Sequence, residues 1–86
     1  MSSDAAKIPA GKTYFWDFFG PRADGTARHF QKHLEQFLET HALPGCRTGL
    51  ASEGEGHQAV YCEAPAAAES AIEGALRPRR VLPRAE

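Results

Sequence analysis

Residues Lys12 to Phe19, KTYFWDFF, set five aromatic side chains within eight positions and are cut off by Gly20-Pro21. Rings at this density suit a pleated strand and little else of this length. Because side chains alternate along a strand, the segment divides into a row of Tyr14, Trp16 and Phe18 and a row of Phe15, Asp17 and Phe19. A carboxylate buried without a partner costs several kcal/mol or shifts its pKa to become neutral, so the Asp17 row is expected to face away from the core. Trp16 then belongs to the core.

The rest of the chain offers that strand a limited set of partners. With 86 residues it can close one small core. Ala27, Phe30, Leu34, Phe37, Leu38 and His41 recur at spacings of three and four, which keeps them on one face of a helix. That helix is expected from Gly25 to Ala42, entered through an Asp24 or Thr26 cap and ended by Pro44-Gly45. Cys46 to Ser52 and His57 to Glu63 read as two strands of a hairpin around Glu53-Gly54-Glu55-Gly56. Ala64-Pro65 opens a second helix, AAAESAIEGAL, with a weaker stripe of Ala68, Ala71, Ile72, Ala75 and Leu76 and a stop at Pro78. Arg79 to Pro83 suits a short last strand, and Pro83 argues for a sheet edge.

The expected order is therefore strand, helix, strand, strand, helix, strand, an α+β chain. A four-stranded antiparallel sheet with two helices on one face is a low-strain way to bury it. This order resembles the ferredoxin-like split βαβ arrangement, βαββαβ, which implies that the first and third strands are central. The resemblance covers residues 12–83 as a single domain and names an architecture, so no function is inherited from it. Residues 1–11 lack apolar periodicity and are read as a flexible leader, and 84–86 as a tail.

A formal net charge of -1 gives no global positive field, which disfavours nucleic acid and anionic lipid as partners. The apolar runs are far shorter than a membrane span and the start MSSDAAKIPAGK has no hydrophobic signal core, so the expected address is the cytoplasm. Alanine richness and a preference for arginine over lysine resemble the coding bias of a G+C-rich bacterium. Cys46 and Cys62 form no CxxC pair and are expected as reduced, buried thiols, opposite or diagonal across the hairpin. No cofactor is implied.

Parity along the hairpin puts Cys46, Leu50, Val60 and Cys62 toward the helices and leaves Arg47, Ala59, Tyr61 and Glu63 outside. The open sheet face should then show Phe15, Phe19 and Tyr61 among Asp17, Arg47 and Glu63, more apolar surface than a monomer usually leaves bare. Aromatic anchors with a rim of both charge signs match the centres of protein interfaces, and a second copy of the chain is the simplest partner. The alternative is an unpaired nucleic-acid strand whose bases stack on the rings, as in domains of the RNA-recognition type. The strand HQAVYCEA lacks the basic and glycine-aromatic pattern of that family, and Glu63 would repel phosphate.

Other groupings carry less. The loop before the first helix offers Arg22, Gly25 and Thr26 as an anion cradle at a helix start. Its placement resembles that in acylphosphatases, which would imply an acyl- or phosphoryl-transfer enzyme. The chain has no Asn to match that family's second functional residue, and a turn with a helix cap explains the loop. His29 and His33 have the i,i+4 spacing of paired metal ligands but lack an acidic third member, and are read as solvated, with no metal site. His41 is read as a packing and capping residue. No nucleophile–base grouping can be assembled, so a binding protein is expected and not an enzyme. Finally, Glu53 to Glu73 holds acids without Lys or Arg, and Arg77 to Arg84 the reverse, so the basic end is a candidate to dock on an acidic partner or on the acidic hairpin of a second copy.

Overall fold

The computed structural model describes residues 11–83. It contains β1 (Gly11–Phe19), α1 (Ala23–Thr40), β2 (Arg47–Gly54), β3 (His57–Pro65), α2 (Ala66–Leu76) and β4 (Arg80–Pro83). The expected leader and tail lie outside the described residues, save for Gly11, which opens β1. The strands form one antiparallel sheet in the order β2-β3-β1-β4, so β1 and β3 are central and the chain is of the α+β class. No described helix is long and apolar enough to cross a membrane.

The division of β1 into two rows decides the packing. Tyr14 and Trp16 are buried with Val60 and Cys62 of β3, and the same cluster takes Ala27, Leu34 and Leu38 from α1 and Ala68 and Ile72 from α2. Both helices therefore cover the Tyr14–Trp16–Phe18 side. Phe30 of α1 fits between two rings of that row, its centroid 5.1 Å from Trp16 and 5.6 Å from Phe18, in tilted geometries that suit aromatic quadrupoles.

Two polar tips inside this apolar layer fasten α2 to β1. The Trp16 indole Nε1 donates to the Leu76 carbonyl at 2.9 Å, satisfying one of the carbonyls a helix end leaves open. The Tyr14 hydroxyl donates to Glu73 at 2.7 Å, and Lys12 reaches the same carboxylate at 2.8 Å. Burial pushes the Tyr14 phenol well above its ordinary pKa, and its hydrogen bond to Glu73 adds to the shift. Cys46 and Cys62 are free thiols on the helix side, diagonal as the Thr48–Cys62 register requires; burial raises both, Cys62 to about 12, so neither is an activated thiolate.

The helix boundaries differ from expectation for local reasons. α1 begins two residues early, because Gly20 at φ 104° turns the chain and its carbonyl already accepts from the Ala23 N–H. Arg22 takes the N-cap position and no side chain caps it, so neither Asp24 nor Thr26 plays that part. At the other end Leu43 N–H bonds to the Leu38 carbonyl and Ala42 N–H to that of Glu39, the paired pattern of a Schellman motif with Ala42 at φ 51°. The motif ends the helix at Thr40, before Pro44 can. Left-handed backbone suits glycine better than alanine, so Ala42→Gly should raise stability by about 0.5–1 kcal/mol, checked by urea denaturation.

Candidate functional site

On the uncovered side of the sheet, charged or titratable side chains from all four strands converge. Asp17 of β1 is the hub. Arg80 of β4 grips it with both arms of the guanidinium, Nη2 at 2.6 Å from Oδ1 and Nε at 3.0 Å from Oδ2. From the opposite flank His57 of β3 places Nε2 at 2.8 Å from Oδ1. An ionised carboxylate only accepts, so this imidazole nitrogen carries the proton. Glu53, at the bent end of β2, approaches Arg80 Nη2 at 3.8 Å.

Strand register explains the convergence. Phe15 pairs with Arg80 and Phe19 with His57, so both partners of Asp17 start from cross-strand neighbours two residues away in its own row, close enough for long side chains to reach diagonally. The Asp17 side chain is 8% exposed although it belongs to the outward row. Its burial is tolerated because it is doubly paired. The hydrogen bonds from Arg80 do most to hold its carboxyl below the ordinary aspartate range, the one from His57 assists, and desolvation opposes them.

The aromatic side chains lie flat against this polar hub. Arg80 carries its guanidinium 4.5 Å above the Phe15 ring, and Phe19 stacks on His57 with centroids 4.3 Å apart. Tyr61 lies across the backbone of Gly49 in β2: a Cβ built on that glycine would fall 2.6 Å from Tyr61 Cε2. The ring thus fills the space that a side chain on the edge strand would occupy. Phe15 and Tyr61 are half-buried, while Phe19 at 66% and Leu82 at 53% stand out into solvent.

Of the residues expected on this face, Phe15, Asp17, Phe19, Arg47, Tyr61 and Glu63 all belong to its rows, with Arg47 directly opposite Glu63. Two expectations are corrected. Asp17 is a buried, paired carboxylate and not a solvated rim charge, and Ala59, in the same outward row, is fully buried, its single methyl set between Asp17 of β1 and Ala51 of β2 with His57 and Tyr61 along its own strand. Sequence reasoning missed Arg80, His57, Glu53 and Leu82. The parity that selected Tyr61 also selects His57, so that signal was present; the contact of Arg80 depends on the β1–β4 register, which no local pattern carries.

The other expected groupings disperse. Gly25 and Thr26 lie inside the first turn of α1, and the Thr26 N–H is taken by the Arg22 carbonyl. Asp24 adds a carboxylate to the same turn, paired with Arg28 at 3.1 Å, so an approaching anion would meet like charge. The basic end meets the acidic hairpin within one chain, through Arg80 and Glu53. His41 is exposed, is the C-cap of α1 and leans on Phe37 at 4.2 Å. An apolar hollow of about 380 Å³ lined by Leu38, Glu39, Ala42, Leu43 and Pro44 lies at the Schellman turn, away from the hub. No protein-family model, curated protein or solved structure matches this chain.

Proposed function

We propose that this chain is a ferredoxin-like binding module that pairs with a second copy of itself through the open sheet face. Read from its β4 edge the sheet runs β4-β1-β3-β2, the split βαβ order, which supports the fold reading. One observation carries the functional reading. The face that shows Phe19 and Leu82 to solvent has its most buried charge, Asp17, already stripped of water and matched by Arg80 and His57.

Covering such a face does not add the cost of desolvating that carboxylate, which is compensated before any partner arrives. The rings and Leu82 supply the apolar contact. Arg47 and Glu63 face each other across β2 and β3, so a copy related by a two-fold axis can set each against its opposite. Single-stranded nucleic acid is served less well: the guanidinium above Phe15 is engaged by Asp17 and Glu53, and Glu63 shares the face.

Sedimentation equilibrium tests the proposal. The wild-type chain should dimerise, and Phe19→Ser should shift the equilibrium toward monomer by about tenfold or more in Kd with an unchanged far-ultraviolet spectrum. A wild-type chain that stays monomeric at high micromolar concentration, or a Phe19→Ser chain that dimerises as well as wild type, would overturn it.

A further inference from the structure

The His29–His33 pair on the exposed side of α1 takes no part in the open face. Its rings meet edge-on with centroids 4.5 Å apart and bring their Nε2 atoms to 3.1 Å. Two exposed imidazoles one helical turn apart are free to point elsewhere, yet these bring the same ring nitrogen of each within hydrogen-bond distance of the other. A hydrogen bond at this distance requires one nitrogen to be bare and the other protonated. A metal ion replaces that proton with a bond to both.

The geometry points to a two-point chelate for a divalent late first-row transition metal such as Ni²⁺ or Zn²⁺, held by His29 Nε2 and His33 Nε2. With metal–nitrogen bonds of about 2.0–2.1 Å, a nitrogen separation of 3.1 Å corresponds to an angle of about 95–100° at the metal. That lies between the square-planar and tetrahedral values, so the separation suits either geometry once the rings turn from each other toward the ion. The helix fixes the spacing in advance, which lowers the ordering cost of chelation. Imidazole suits these borderline ions, whereas Mg²⁺ and Ca²⁺ prefer oxygen donors.

Among the described residues no group of three or more His, Cys, Asp and Glu could hold a metal ion, so one chain contributes these two nitrogens and the remaining positions go to water or to the same pair on another copy. The site is thus an open half-site, and stoichiometries of one metal per chain or one per two chains both satisfy it.

Isothermal titration of the full chain with nickel chloride and zinc chloride tests this, alongside His29→Gln, His33→Gln and, as control, His41→Gln. Both histidines of the pair are exposed, so the variants should match the wild-type melting curve without metal. The expected result is saturable binding in wild type and His41→Gln and affinity at least about tenfold weaker in each of the other two, with Ni²⁺ broadening amide signals around residues 29 and 33. No binding in millimolar metal would overturn the assignment. So would a smaller loss in either variant, which would place the metal elsewhere, for instance on the Cys46 and Cys62 thiols.

Discussion

Trp16→Ala should lower the unfolding free energy by about 3–5 kcal/mol, the loss seen when a large buried aromatic is cut to a methyl. A domain of this size has a total of about 4–13 kcal/mol at usual per-residue stabilities, so the variant should lose a large share of its stability and unfold at a much lower urea concentration. The loss has three sources: the ring is 5% exposed, it packs on Phe30 and Tyr14, and its indole nitrogen closes the carbonyl of Leu76. Trp16→Phe separates them. It keeps a ring in the layer but leaves the Leu76 carbonyl without its donor, for an intermediate loss of about 1–2 kcal/mol. Urea denaturation followed by far-ultraviolet circular dichroism measures both; equal stability of Trp16→Ala and wild type would show that β1 does not present this row to the core.

Asp17→Ala should cost about 1–2 kcal/mol at neutral pH, less than a fully buried ion pair because Arg80 is 43% exposed and can turn to water once released. The pH dependence is more diagnostic. The folded carboxyl titrates below its ordinary value, so its contribution is complete above the unfolded aspartate pKa of about 4 and is lost as the pH falls through the lower, folded value. Wild-type stability should therefore drop more steeply below about pH 4 than that of Asp17→Asn, which has no proton to take up there. Identical acid limbs in the two proteins would mean that the carboxylate is not held by Arg80 and His57 in solution.

How far the fold could be read from the chain follows from where each piece of information resides. The two rows of β1 are legible because a single carboxylate, Asp17, interrupts a run of rings and so breaks the symmetry between the faces. The α1 stripe is legible because Ala27, Leu34 and Leu38 repeat at the helical period, and all three are core residues. The start of α1 is not, because Gly20 and Pro21 shape a turn whose carbonyl does the work expected of a capping side chain. The site was legible in half. Its rings and its hub share β1 and the hairpin, whose register is local, whereas Arg80 arrives from a strand 63 residues along the chain from Asp17. A pattern of period two tells which way Arg80 points only once its neighbour is known.

The sheet has two outer rails, and neither suits growth by templated strand addition. On one, β4 spans four residues and ends in Pro83, which has no N–H to give. On the other, the ladder of β2 is broken between Ser52 and Gly54, and Gln31 and Glu35 of α1 lean over Thr48. Cross-β fibrils need long, straight, unpaired backbone to propagate. This small protein should therefore resist fibrillation while natively folded.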